Sequence, residues 1–262
     1  MAGPGARGRC RAREAARARP RAAVYGEGMS EVWRADARFP GGDAEAGIDT
    51  RHAFSFGRFY DPDNLRFGAL VACNEERLAP GAGFAEHPHR DTEIVTWVVE
   101  GELTHRDSAG NETVVRPGDV QRLGAGSGVR HEERNDGEAP LVFVQTWLSP
   151  ERPGGQPEYE VVRGIADRTP LAVERAGAVL YPRRPAPGAP VALPDAPRVY
   201  VHVVRGAVRL DSVRLDGERT DGERTDGEWL GPGDAARIAP CAGRGMVADD
   251  AGPTELLVWE LP

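Results

Sequence analysis

The chain has no lysine; all 33 of its basic residues are arginine, as a GC-rich coding sequence produces. No apolar run approaches the roughly 20 residues that cross a bilayer, so a membrane-spanning helix is not expected. Cysteine is scarce. Cys10, Cys73 and Cys241 are odd in number and far apart, which implies neither a disulfide framework nor a cysteine metal site and makes a reducing cytoplasm the expected compartment. Net charge is unevenly spread: the first 28 residues carry seven arginines against Glu14 and Glu27, a net +5, and leave the rest of the chain at −13 of the overall −8. An acidic body does not suit direct binding of nucleic-acid phosphates. The basic head has no continuous apolar stretch of a secretory signal. It is read as a disordered Arg-rich extension over residues 1–28, or as translated upstream sequence, with the folded chain opening at Met29-Ser30-Glu31-Val32-Trp33-Arg34.

What is abundant is turn-forming sequence, with 33 glycines and 22 prolines beside a 40 % hydrophobic content. That favours a turn-rich β protein. From Phe54 to Trp147 short β-branched and aromatic runs alternate with turns: Ile94–Val99 closed by Glu100-Gly101, Leu103–His105, Thr113–Val115, Pro117-Gly118-Asp119 before Val120–Leu123, and Leu141–Trp147. The second half repeats this, with Val203-Val204-Arg205-Gly206 echoing Val98-Val99-Glu100-Gly101 and Pro232-Gly233-Asp234 echoing Pro117-Gly118-Asp119. The glycines are 17 apart in the first copy and 27 in the second. The excess equals the tandem pentapeptides Asp216–Thr220 and Asp221–Thr225, read as an insertion at an exposed hairpin tip. Residues 149–197, rich in Pro, Gly and Arg, form a connector with a short helix expected near Leu171–Ala176.

Five of the six histidines lie between positions 52 and 131. On a strand, residues two apart share a face, so His87-Pro88-His89 presents two imidazoles to one point, and His131-Glu132-Glu133 presents an imidazole and a carboxylate. Pro88 removes one backbone donor and belongs at a strand end or bulge. Brought together, the two pairs would suit Fe(II), Mn(II), Ni(II), Cu(II) or Zn(II) and leave coordination positions open. His52 and His105 are read as turn or edge histidines. Arg90 and Arg130 flank the site, able to orient an anionic substrate or to pair with the acidic surface. Phe56, Phe59 and Trp97 are read as core.

Gly81, His87-x-His89, Glu93 and Gly101, followed by Gly118, Gly126, His131 and Asn135, resemble the two motifs of the cupin superfamily. More narrowly, His87-Pro88-His89-Arg90, Glu100–Ser108, Pro117–Gln121, Gly126-Ser127-Gly128 and His131-x-Glu133 resemble the pirin family, with Ala53–Phe56 and Tyr60-Asp61-Pro62 similar to segments just upstream in its bacterial members. Gly124 stands where many cupins have proline. The resemblance is strong over residues 30–160 and weak beyond.

The resemblance implies an all-β fold of two cupin-type double-stranded β-barrels with short connecting helices. The expected domains are a metal-binding cupin over 29–160 and a degenerate, metal-free cupin over 161–262. It also implies the ligand set. His87, His89, His131 and Glu133 would hold one divalent cation, Fe(II) first, with Mn, Ni, Co, Cu or Zn as alternatives. Glu93, a ligand in cupins generally, is kept as an alternative ligand or an outer partner. In the second copy the four ligand positions are expected at Ala192, Pro194, Met246 and Ala248, none of them a metal ligand, and His202 falls opposite Trp97 as a structural residue. The implied activity is that of bacterial pirins, oxidative ring opening of a flavonol of the quercetin 2,3-dioxygenase type. The substrate is a small aromatic chelator, dioxygen is the co-substrate, and Glu133 is the base. The alternative is a non-enzymatic, iron-binding redox sensor acting through protein partners. A cytoplasmic monomer is expected, without membrane or direct nucleic-acid contacts.

Overall fold

The computed structural model describes residues 22–25, 28–210 and 227–262, with side chains from Ser30 onward. In chain order the strands of the first half are β1 (Ala22–Tyr25), β2 (Gly28–Trp33), β3 (Phe39–Asp43), β4 (Ile48–His52), β5 (Leu70–Leu78), β6 (Gly83–His89), β7 (Glu93–Glu100), β8 (Leu103–Asp107), β9 (Glu112–Val115), β10 (Val120–Gly124), β11 (Val129–Arg134) and β12 (Leu141–Leu148). Those of the second are β13 (Glu158–Val162), β14 (Leu171–Val173), β15 (Ala178–Arg183), β16 (Pro190–Ala192), β17 (Arg198–Arg205), β18 (Val208–Leu210), β19 (Glu228–Leu230), β20 (Ala235–Ala239), β21 (Gly245–Ala248) and β22 (Glu255–Leu261).

Each barrel closes a seven-stranded sheet over a four-stranded one. The first pairs β13-β10-β7-β12-β5-β4-β3 with β6-β11-β8-β9, and the second pairs β1-β2-β20-β17-β22-β15-β14 with β16-β21-β18-β19. Among the described residues helix is confined to two 3-10 turns, Ala35–Ala37 and Glu174–Ala176. The helix expected near Leu171–Ala176 is therefore strand β14 plus one such turn. Leu171 and Val173 are buried around exposed Ala172, a period of two that seats them beside β15. None of the described helices is long and apolar enough to cross a membrane.

The two seven-stranded sheets pack back to back through one apolar cluster that includes Phe54, Leu70, Trp97, Leu148, Tyr200, Leu257 and Trp259. The barrel interiors differ. The second is filled by a single apolar cluster including Val199, Val201, Leu210, Leu230, Met246 and Val258. The first has two separate apolar plugs, one around Leu78, Leu103, Leu141 and Phe143 and one around Ile94, Leu123, Ala125 and Val129. Between them the sheet carries a polar row. Gln121 lies opposite Thr96, Thr96 opposite Gln145, Gln145 opposite Asn74 and Asn74 opposite His52. Buried polar groups cost free energy unless they are partnered, so a continuous polar row inside a barrel marks a place built for something other than packing.

The repeat extends further than the paired glycine turns suggest. Strand β2 was expected to open the first barrel, but it pairs with β20 of the second, whereas β13 pairs with β10 of the first. The two segments align as Ser30-Glu31-Val32-Trp33-Arg34-Ala35 and Tyr159-Glu160-Val161-Val162-Arg163-Gly164. Each is fastened to the Pro-Gly-Asp turn of the barrel it completes. Asp234 accepts from the Ala35 amide at 2.8 Å and the Arg34 guanidinium at 2.8 Å; Asp119 accepts from the Gly164 amide at 2.9 Å and the Arg163 guanidinium at 2.6 Å. Gly118 and Gly233 have φ of 90° and 81°, which only glycine adopts without strain. Within the expected extension 1–28, Ala22–Tyr25 form strand β1 on β2; residues 1–21 lie outside the described residues. So do both pentapeptides, although the flanking β18 and β19 pair as a hairpin.

Candidate metal centre

The histidines and Glu133 come from three adjacent strands of the first barrel's smaller sheet. On β11, Val129, His131 and Glu133 are buried and alternate with partly exposed or exposed neighbours. His131 lies opposite His87 of β6 on one side and Asp107 of β8 on the other. Strand β6 is the edge of its sheet, so Pro88 forfeits no ladder bond that the fold needs. The register shifts between His131 and Glu133, which brings Phe84 opposite Glu133.

His87, His89 and His131 form one cluster whose nitrogens lie within 4.8 Å of one another. The Nε2 atoms of His87 and His131 are 3.1 Å apart. His87 Nδ1 lies 2.8 Å from the Ala85 carbonyl, which can only accept, so in the neutral ring the proton sits on Nδ1 and Nε2 presents a lone pair. His89 Nε2 and His131 Nδ1 are buried without a hydrogen-bond partner. Burial first, and then the neighbouring imidazoles, lowers the pKa of His89 to about 4 and of His131 to about 3. At neutral pH these rings are uncharged. Two cis ligands at about 2.1 Å from a metal sit about 3.0 Å apart, close to the observed separation. The donor set fits a borderline divalent cation.

Glu133 sits on the same wall, but its cluster is with His131 and His105, not with all three of the other expected ligands. Its carboxylate is held from two sides. Oε1 accepts from Gln121 Nε2 at 2.9 Å and Oε2 from Gln145 Nε2 at 2.8 Å. A carboxylate oxygen that accepts one hydrogen bond retains acceptor capacity for a cation or a proton.

His105 is not a turn or edge histidine. It lies fully buried on β8, stacks on Tyr159 at 4.4 Å and contacts Asp107 at 3.2 Å. A His-Arg-Asp run at a strand end reads as a turn; the barrel's closure turns His105 inward beside Glu133. His52, likewise, is a buried strand residue that meets Asn74 at 3.0 Å. Glu93 belongs to neither cluster. Its buried carboxylate faces Arg175 at 3.1 Å and Arg122 at 3.7 Å. Gly124 explains itself here, because a Cβ would stand 2.9 Å from Glu93 Oε2.

Trp97 is core as expected, whereas Phe56 and Phe59 are half-buried. Phe56 packs edge-on to Trp147 at 5.1 Å, and Trp147 packs edge-on to His89 at 4.9 Å. An opening of about 380 Å³ beside His89 is lined by residues that include Ser108, Ser127 and Arg130. Arg130 is paired with Glu86 at 2.8 Å and Arg90 with Asp91 at 3.3 Å. Sequence reading missed Gln121 and Gln145; the available signal was a glutamine at an inward-facing position of each of two β-branched and apolar strand runs, Val120–Gly124 and Leu141–Leu148.

In the second barrel, Met246 lies opposite Leu210 as Glu133 lies opposite His105. Met246 thus answers to Glu133 rather than to His131, two residues from the expected register, because strand pairing follows the hairpin and not the loop lengths. His202 is buried, 2.8 Å from Arg38 and 3.2 Å from Glu75. Both clusters of potential metal ligands found among the described residues lie in the first barrel.

The family model described as Pirin matches residues 34–148. A Mycobacterium tuberculosis H37Rv protein whose quercetin 2,3-dioxygenase name is itself provisional is 39 % identical over 231 residues, spanning 82 % of this chain and 88 % of its own length. The quercetin 2,3-dioxygenase of Escherichia coli K12 is 43 % identical over 114 residues, covering 43 % of this chain and 49 % of its own. Among solved structures, the bacterial pirin YhhW of Escherichia coli in complex with nickel(II) superposes with a TM-score of 0.75 at 28 % identity, covering 89 % of this chain and 99 % of its own.

Proposed function

Because the chain belongs to the pirin family, we propose that it is a metal-dependent dioxygenase that opens the central ring of a flavonol or similar aromatic chelator. The observation that carries this reading is the convergence of three imidazoles, His87, His89 and His131, on one point inside the polar first barrel. These three would hold one divalent cation, with Glu133 as the fourth ligand from the same wall; nickel and iron are the first ions to test. When bound, the cation supplies Lewis acidity toward a chelating hydroxyl–carbonyl pair and a route for dioxygen to react.

The chain's own groups do the rest. Glu133 accepts the proton of the flavonol hydroxyl, a general-base role suited to a carboxylate that only accepts hydrogen bonds. Trp147 and Phe56 offer aromatic surface on the side of His89, where a planar ligand can stack. Ser108, Ser127 and Arg130 line the opening with polar groups that can meet ring hydroxyls. In the overall reaction one dioxygen adds across the ring, which releases carbon monoxide and leaves a depside, so all atoms are accounted for.

The test is oxygen uptake and carbon monoxide release with quercetin after separate loading with Ni, Fe, Mn, Co and Cu. Oxygen uptake and carbon monoxide release in equal amounts with at least one ion support the reading. Absence of both with all five overturns it.

A further inference from the structure

Glu133 is held by two arms built alike from different strands. In one, the Tyr159 hydroxyl lies 3.0 Å from Gln121 Oε1 and Gln121 Nε2 lies 2.9 Å from Glu133 Oε1. In the other, Trp147 Nε1 lies 2.9 Å from Gln145 Oε1 and Gln145 Nε2 lies 2.8 Å from Glu133 Oε2. The direction of both arms follows from chemistry. An indole N–H only donates, so Gln145 must turn its carbonyl to Trp147 and its amino group to Glu133. An ionised carboxylate only accepts, so Gln121 must also present its amino group, which leaves its carbonyl to receive the tyrosine proton. Thr96 lies opposite both glutamines on β7, the strand between β10 and β12, which sets them on either side of one carboxylate.

We propose that Gln121 and Gln145 are positioning residues that fix the plane of the Glu133 carboxylate, and that Tyr159 and Trp147 fix the two amides in turn. The proposal rests on the metal-site reading only in what the clamped carboxylate is for. A free carboxylate rotates about its last bond; one gripped at both oxygens keeps one remaining lone pair of each in a constant direction. The arms also extend the site to distant parts of the fold. Tyr159 is carried by the connector strand β13, which is fastened through Gly164 to Asp119. Trp147 touches His89, so one aromatic residue contacts a histidine of the trio and the amide that orients the carboxylate.

Two measurements on the full chain test this. In the metal-free protein, the side-chain amide protons of Gln121 and Gln145 should exchange slowly with solvent, and Tyr159→Phe should release those of Gln121 while leaving those of Gln145 protected. Titration with nickel(II) alone should then show affinity falling roughly 10–100-fold in Gln121→Leu and in Gln145→Leu, with a shifted ligand-field spectrum of the bound ion. Fast exchange of both amides in the wild type overturns the proposal, and this reading needs no variant to fold. So does wild-type nickel affinity in both leucine variants while Glu133→Gln loses it. If the wild type binds no nickel but both amides are protected and Tyr159→Phe frees only one, the clamp stands and the metal reading falls.

Discussion

His87 and His131 face each other Nε2 to Nε2 at 3.1 Å, with His87 Nδ1 already committed to the Ala85 carbonyl. Two lone pairs held that close repel unless a proton or a cation lies between them, and a cation also serves the partnerless His89 Nε2. His131→Ala should therefore reduce nickel affinity by more than the roughly 10–100-fold that outer partners cost. His105→Ala, which removes a neighbour of Glu133 rather than a member of the trio, should cost less than His131→Ala. Isothermal titration on both variants decides; equal losses would place His105 among the ligands.

Acid should weaken the metal-free fold through the same rings. His89 and His131 titrate at about 4 and about 3, pushed down first by burial, whereas an unfolded histidine titrates near about 6.5. Between those values the unfolded chain binds more protons, so stability is present above about pH 6.5 and is lost as pH falls through the folded values. Thermal melts from pH 7.5 to 4 should show a progressive decline, and excess nickel should raise the neutral end by mass action. A flat profile in metal-free protein contradicts this.

Glu76 predicts the opposite slope at higher pH. Buried on β5 and hydrogen-bonded by Thr50, it is pushed up to about 8 by burial, which outweighs that bond, and by the nearby Glu133. A raised folded pKa means that the folded chain keeps a proton the unfolded chain releases, so its contribution is full below about pH 4.5 and is lost as pH rises through 8. Glu76→Gln should be more stable than the wild type at pH 8, by roughly 1–3 kcal/mol, with the gain shrinking toward pH 5. Chemical denaturation at both pH values measures the difference.

Gly124→Ala should destabilise the chain by roughly 1–3 kcal/mol, the usual cost of forcing a carbon into a packed site, because its Cβ meets the Glu93 carboxylate. Glu93→Gln should leave nickel affinity unchanged, since Glu93 faces Arg175 and Arg122. Loss of nickel binding in Glu93→Gln would make it a ligand after all.

Asp119→Ala and Asp234→Ala should loosen different strands despite their equivalent turns. Hydrogen exchange should quicken in β13 for the first and in β2 for the second, because each aspartate fastens the segment that follows that strand. Matching effects on both strands in either variant would argue against the exchanged arrangement.

The sequence by itself determined the strand-rich class, the internal repeat and the two histidine-bearing pairs. All three are carried by local periodicity: turns recur at fixed offsets, and side chains two apart on a strand share a face. The separation of a polar first barrel from an apolar second was foreshadowed by where the histidines lie. Tertiary structure decided what depends on which strands become neighbours. It grouped Glu133 with His131 and His105, turned His105 inward, set Gln121 and Gln145 on either side of one carboxylate and placed Glu93 against two arginines. It also sent β2 to the second barrel, though the matching Glu31-Val32 and Glu160-Val161 segments were present in the sequence. Period-two alternation says which face a residue occupies; only the pairing of strands distant in sequence says what that face meets.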